Sequence, residues 1–452
     1  MSRPLRILFT NITLASRTGT EVYIKEAALG LLRRGHTPLV YSPDLGEIAG
    51  EIRAATVPVV DDLRQLGAPP HVIHGHHHQQ AMTALLGFPG VPGIFVTHDW
   101  TFLHDAPPVF PRIRRYVAVD GTNRDRVVFE HGIAEERVRV LLNWVDLDRF
   151  PPRGPLPERP RRALVFSNYA CGDTHLPAIQ EACRRAGLPL DVVGSGVGRS
   201  LVNPGEVIGE YDLVFAKAKS ALEALAVGAA VVLCDYRGLG PMVTRAELDS
   251  LRRLNLGLRT LRDPLVPDLI LREIERYDAR DAAEVSRRVR GEAGLEPALD
   301  RLITLYEEVI EEHEREGPCD ATEEFRAAAV YLREWADWTR QRQSLAADLD
   351  RQRRQLDHRV RELEEGLRQA RLAHRALELQ EDLRQAQLVH RTAELEGELQ
   401  AIRLERDCLA ETLQAVTGTV TWRLREKLMR FPGLRAIYQK VRKPGRGEAQ
   451  RT

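Results

Sequence analysis

Up to about residue 312, short apolar runs alternate with amphipathic stretches. Arg6–Phe9, Pro38–Ser42, Val72–His74, Gly93–Thr97 and Tyr116–Val119 read as strands, and Glu21–Arg34 and Asn123–His131 as helices. This alternation implies parallel strands joined by crossover helices, a Rossmann-like arrangement. A proline-rich stretch, Pro151-Pro152-Arg153-Gly154-Pro155 and on to Pro160, reads as a stiff linker. The pattern then restarts. Ala163–Ser167, Leu190–Val193, Asp212–Ala216 and Val231–Asp235 are strand-like, and Leu176–Ala186, Ala221–Val227, Pro267–Tyr277 and Leu299–Glu312 helical. The expected fold class is therefore α/β, with two Rossmann-like domains, 1–150 and 151–316, facing a cleft at the C-terminal ends of their sheets.

From about Asp320 glycine and proline nearly vanish. Leu349, Leu356, Leu363, Ala370 and Leu377 recur every seven residues, with Val360 and Leu367 supplying a companion stripe; after a jump of eleven the repeat resumes at Leu388, Leu395, Ile402 and Leu409. This predicts a coiled coil over 320–416 with a stutter, joining copies into a homo-oligomer. The alternative is a helix folded back on the globular body. The last segment, 417–452, reads as a basic amphipathic tail: from Thr421 it holds ten Arg or Lys against Glu426 and Glu448, interleaved with Trp422, Phe431 and Tyr438. Such a tail suits an anionic membrane surface, with a solvated free end as the bland alternative.

Composition narrows the class. Lys plus Arg and Asp plus Glu are 65 each, so the net charge is zero and a dedicated nucleic-acid binder is not expected. The five cysteines are odd in number and never paired as C-x-x-C, which fits a reducing cytosol. The apolar run Ile7–Phe9 is too short for a signal-peptide core, and Ala224–Cys234 is too short to cross a bilayer. A cytoplasmic protein, peripheral at the inner face of the membrane through its tail, is the expectation.

Candidate chemistry sits at the predicted strand ends. Gly19 permits a tight turn before the first helix, with Thr20 as a candidate N-cap, and the helix start favours an anionic or polar ligand. The histidine run His71, His74, His76, His77 and His78 lacks carboxylates at metal-ligand spacing, so no metal is expected. His98 follows an apolar strand at its C-terminal end. Gly194 and Gly196, in Val193-Gly-Ser-Gly-Val-Gly198, signal close backbone approach. Of only six lysines, Lys217 and Lys219 stand just before a helix expected to start at Ser220, a placement suited to a diphosphate. Ser220-Ala-Leu-Glu223 reads either as a capping box or as a carboxylate able to accept ribose hydroxyls.

These residues resemble the GT-B nucleotide-sugar glycosyltransferases, especially the retaining group called family 4. The similarity covers roughly 1–312. It rests on ILFTNITLASRTGTEVYIKEAALGLLRRGH, VIHGHHHQQA, IFVTHDW, the hinge-like NWVDLDRF with Trp144 in place of a glycine, and LEALAVGAAVVLCD. The resemblance implies an acceptor domain followed by a donor domain. Gly19 would face the diphosphate and acceptor, His98 the donor sugar and Glu223 the ribose; Gly238 and Gly240 would lie in a donor-side glycine loop.

The chain also departs from the family. The first glutamate of E-x7-E is replaced by Phe215, and the usual Gly-Arg and Lys-Gly pair is missing from Ser167-Asn-Tyr-Ala-Cys-Gly-Asp; Lys217 or Lys219 is expected to supply the lost charge. The implied function is transfer of a sugar from a nucleoside-diphosphate donor, with no cofactor, to a hydroxyl on a cell-envelope glycan or lipid-linked acceptor. The rivals are a degenerate GT-B scaffold working through its coiled coil and, more weakly, a nucleotide-sugar epimerase.

Overall fold

The apolar runs become two parallel sheets in the protein, described by a computed structural model over residues 3–199, 201, 203–377 and 385–417. The first holds β1 (Arg6–Thr10), β2 (Thr37–Tyr41), β3 (Val59–Val60), β4 (Val72–His76), β5 (Gly93–Thr97), β6 (Ile113–Ala118) and β7 (Val138–Val140), in the order β3-β2-β1-β4-β5-β6-β7. Its crossovers carry α1 (Gly19–Arg33), α2 (Glu47–Ala54), α3 (His78–Gly87) and the short α4 (Gly121–Asp125). All its pairings are parallel, so both faces are covered and strands such as β4 and β5 are buried throughout.

The second sheet holds β8 (Ala163–Phe166), β9 (Leu190–Val193), β10 (Leu213–Ala216), β11 (Ala230–Asp235) and β12 (Gly238–Met242), in the order β12-β11-β10-β8-β9. Its helices are α5 (Leu176–Arg185), α6 (Pro204–Ile208), α7 (Ala218–Val227), α8 (Leu248–Arg253), α9 (Pro267–Glu275) and α10 (Ala279–Glu292). Only β12 runs antiparallel, and it corrects the expected glycine loop at Gly238 and Gly240. A Cβ on Gly240 would lie 2.8 Å from the Thr260 carbonyl, and one on Gly238 3.0 Å from that of Asp263. These glycines let the strand run beneath the 258–263 segment.

The chain crosses between the sheets twice, outward after β7 and back into α11 (Leu295–Glu316). Although α11 follows the second sheet in sequence, Leu295, Leu299, Leu302, Tyr306 and Val309 are buried in the same core as Ile7, Phe9, Ile24, Leu31 and Trp144. The two crossings are bonded to each other: the Val145 N–H donates to Ala293 O at 2.8 Å and the Leu295 N–H to Val145 O at 2.9 Å. Gly30 of α1 brings this last helix close, since a Cβ there would fall 2.4 Å from Leu299 Cδ1.

α12 (Ala321–Leu377) starts beside the N-terminal end of β6, where the buried Arg112 donates to Glu324 at 2.8 Å. The described residues to Ala327 form one compact body and those from Ala328 another. In the second body, Val360, Leu363 and Leu367 of α12 bury against Leu395 and Leu399 of α13 (Gln385–Thr417). Ion pairs Arg371–Glu396 (2.6 Å), Glu364–Arg403 and Asp357–Arg406 (3.6 Å) descend one helix as they climb the other. The two helices are thus antiparallel, and the central part of the apolar seam expected to recruit a second chain is covered by this chain's own α13. The expected tail at 418–452, and the side chains of Leu377 and Leu388, lie outside the described residues. Among the described residues no helix is long and apolar enough to cross a membrane.

The core placement of α11 makes a specific prediction. Leu299→Ala should destabilise the first domain by roughly 2–5 kcal/mol, as a buried cavity does. Chemical denaturation followed by tryptophan fluorescence measures it; a loss below about 1 kcal/mol would show that α11 is not part of that core.

Candidate active site

The C-terminal ends of the two sheets face each other across a cavity of about 170 Å³. From the first domain it is lined by Arg17, Thr18 and Gly19, from the hinge by Arg149, and from the second domain by Ser167, Asn168, Gly194, Lys219, Ser220 and Glu223. Gly19 is the first residue of α1, and a Cβ there would meet nothing within 4 Å. The space in front of it is the cleft itself. Thr18, not Thr20, takes the N-cap position, and its hydroxyl pairs with the buried Glu21 carboxylate, which Thr20 also reaches at 3.1 Å.

On the opposite wall the expected close approach of backbones is found. A Cβ on Gly194 would lie 1.9 Å from Ser167 O, and one on Gly196 2.5 Å from Ala170 O. Glycine at both places lets the loops after β8 and β9 stack backbone to backbone. The Ser195 N–H donates to Asn168 Oδ1 at 3.1 Å.

α7 begins two residues earlier than expected, at Ala218, with Lys217 as N-cap and Ser220 inside the first turn. The capping-box reading of Ser220 and Glu223 is therefore corrected: a residue already inside the helix does not cap it. Ala218 takes a left-handed conformation (φ 52°) held by its N–H on Leu256 O at 2.9 Å. For a residue with a Cβ this costs about 1–2 kcal/mol.

The two lysines flanking Ala218 part company. Lys217 does not line the cavity; its ammonium pairs with the buried Asp235 and lies 5.7 Å from the Tyr169 ring centre. Lys219 does line it, and reaches across to the first domain. Its Nζ donates to Glu26 Oε2 at 2.8 Å and to Trp144 O at 3.2 Å, and stands 3.8 Å from Glu223.

Glu26 is the residue that sequence reasoning missed. It sits on the buried face of α1 and takes Lys219, the Trp144 indole N–H at 3.0 Å and Arg149 at 3.5 Å. The signal was present: a carboxylate three residues after Tyr23 and four before Gly30, on the helix's apolar stripe, needs a buried partner. Trp144, in the place of the family's hinge glycine, supplies one and also packs against Tyr23, with ring centres 4.2 Å apart and planes tilted by 40°. Across this cluster Glu223 is buried, which pushes its carboxyl up to about 7 against the pull of Lys219.

His98 stands at the end of β5, outside the lining of this cavity. Its Nε2 lies 2.8 Å from His76 Nδ1, and its backbone N–H donates to the buried Asp105 at 3.1 Å. His76 Nε2 is buried without a partner. An orphaned lone pair costs less than an orphaned N–H, so the His76 proton sits on Nδ1 and is donated to His98 Nε2. That leaves the His98 proton on Nδ1. Burial holds both rings well below the usual imidazole range, hence neutral. Beyond His98, Arg259 of the second domain lies 5.4 Å over Trp100 and pairs with Asp125 at 2.5 Å, so the domains also meet on this side. The remaining histidines serve packing and backbone capping: His77 Nδ1 accepts the Ile12 N–H at 3.1 Å, and His71 Nδ1 that of Arg6 at 3.0 Å. Among the described residues no group of side chains is arranged to hold a metal ion. Phe215, where the family has its first glutamate, is fully buried in β10.

Residues 17–149 match the profile of Glycosyltransferase Family 4, a family of retaining, nucleotide-sugar-dependent transferases. A glycosyltransferase from Rickettsia africae ESF-5 superposes with a TM-score of 0.51 at 13% identity, covering 68% of this chain and 99% of that one. Anabaena HepE, in complex with UDP and glucose, superposes at 0.47 with 14% identity, covering 67% and 99%. No curated protein matches the chain. The two-sheet body has the GT-B fold, and its first domain is similar in sequence to Glycosyltransferase Family 4.

The buried cross-domain pair supports a prediction. Glu26→Gln should cost roughly 3–5 kcal/mol, because it strands the Lys219 ammonium in a buried site. Adding Lys219→Met should recover part of that loss. Calorimetric unfolding of the single and double variants checks it; strictly additive losses would mean the two groups do not interact.

Proposed function

We propose that the cleft transfers a glycosyl group from a nucleoside-diphosphate donor to a hydroxyl acceptor. The observation that carries this reading is the common lining of one cavity by Gly19 at the start of α1 and by Lys219, Ser220 and Glu223 at the start of α7. Helix starts offer free N–H groups and a positive dipole end to a diphosphate, and here two of them come from opposing sheets. Lys219 and Arg149 add cationic charge beside them. Glu223, on the cavity wall, would accept ribose hydroxyls; His98, outside that lining, would reach only the sugar end of the donor, through its Nδ1–H.

In the reaction the bond from the anomeric carbon to the diphosphate oxygen breaks and a bond to the acceptor oxygen forms. The acceptor's proton leaves with the departing diphosphate. Negative charge grows on the leaving group, and fixed donors aimed at it lower the barrier. Lys217, whose charge is spent on Asp235, has no direct part in this; Lys219 takes that role. The acceptor side is formed by the first domain. A glycan or lipid-linked acceptor at an anionic membrane surface, approached through the basic segment after residue 417, fits the charge of that segment.

The test is a donor panel. The full chain, given nucleoside-diphosphate sugars with and without acceptor extracts, should release nucleoside diphosphate, and Lys219→Met should slow release by about a hundredfold or more. No release from any donor, together with no thermal stabilisation by any nucleoside diphosphate, would favour the scaffold reading. The Glu223 carboxyl fixes the pH profile. Because burial raises it to about 7, the acceptor form for ribose is lost below that pH, so donor affinity should increase as pH climbs through about 7. Glu223→Gln should bind donor more weakly with no such rise, and a rise that persists in this variant would assign the ionisation elsewhere.

A further inference from the structure

The hinge has a second cavity, of about 620 Å³, where the outgoing and returning crossings run together. Asn143 and Trp144 line it from the outgoing crossing, Arg252 and Arg253 from α8, Glu292 from the end of α10 and Arg301 from α11. Its lining carries three arginines against two carboxylates. Asp249 and Glu292, the carboxylates of its wall, are both engaged by Arg288, at 2.5 and 3.4 Å. No carboxylate among the described residues forms an ion pair with Arg252, Arg253 or Arg301.

Arg252 is the informative member. Its Nη2 donates to Asn143 O at 3.1 Å, while its Nη1 is buried with no hydrogen-bond partner in the protein. Its guanidinium is left with an unsatisfied buried donor, and burial, with the Arg301 charge, outweighs the pull of the Glu292 carboxylate, so the site has room for a further anion. Guanidinium forks match the oxygens of phosphate in paired hydrogen bonds.

We infer that this hinge cavity is an anion site taking a phosphate or diphosphate group of a small molecule, held by Arg252, Arg253 and Arg301. The site is separate from the donor cavity but tied to it through two successive carbonyls: Asn143 O holds Arg252 and Trp144 O holds Lys219. An anion that draws Arg252 away from Asn143 O acts on the same stretch of backbone that Lys219 grips, so occupancy of the hinge is felt at the donor site.

Arg253 and Arg301 have exposed side chains, so replacing them leaves the fold intact. The full chain and its Arg253→Gln/Arg301→Gln variant are titrated calorimetrically with inorganic pyrophosphate, and separately melted with nucleoside diphosphates. The expected result is loss of one class of pyrophosphate site, or its weakening by at least about ten-fold, in the variant. Thermal stabilisation by nucleoside diphosphate should stay, because the donor cavity is untouched. Identical pyrophosphate isotherms for the two proteins would overturn the proposal. Absence of nucleotide stabilisation in both would count against the donor reading and leave the pyrophosphate comparison readable.

Discussion

One buried carboxylate ties the two halves of the two-sheet body together at their cleft. Glu26 lies in the core face of α1, yet its partners come from outside that helix: Lys219 in the second domain, and Trp144 and Arg149 in the hinge. A carboxylate so deep is tolerated only when charge and hydrogen bonds surround it, and each of these partners is kept in position by the same need. The pair carries Lys219 to the wall of the cleft cavity and Trp144 over Tyr23. It also explains the residue at the hinge. Where the family has a small glycine, this chain has an indole whose N–H answers Glu26.

Around that pair the donor cavity is assembled from backbone as much as from side chains. Gly194 and Gly196 allow the loops after β8 and β9 to stack, and the left-handed Ala218 starts α7 at the cleft. The first glutamate of the family's E-x7-E motif and its basic pair are absent. Under the proposed function the charge offered to a diphosphate comes instead from Arg149 and Lys219, both already near carboxylates.

The fold was largely legible in the sequence because parallel, doubly covered strands appear as short unbroken apolar runs. Gly93–Thr97 and Leu190–Val193 were read to the residue. β3 was missed because two residues give no pattern, and β12 because Gly238-Leu-Gly-Pro-Met reads as a turn wherever neighbouring backbone is unseen. α10, with Arg and Glu through most of its length, buries only a narrow stripe and left no clear signal. The heptads announced α12 and α13, but a repeating apolar seam does not say whether its partner is another chain or the same one turned back. At the site, the sequence gives residue types but not directions. Two lysines separated by one residue look equivalent in sequence, while the turn at Ala218 sends one to Asp235 and the other to Glu26. The second domain's last helix joins the first domain's core for a reason that only three dimensions supply.

The central claim is that one nucleoside diphosphate is gripped from both sheets at once. Hydrogen–deuterium exchange on the full chain, with and without saturating nucleoside diphosphate, reads this directly. The account predicts joint protection of the α1 start around residues 17–22 and the α7 start around 218–224. Protection limited to one of the two segments, or located away from both, would contradict it.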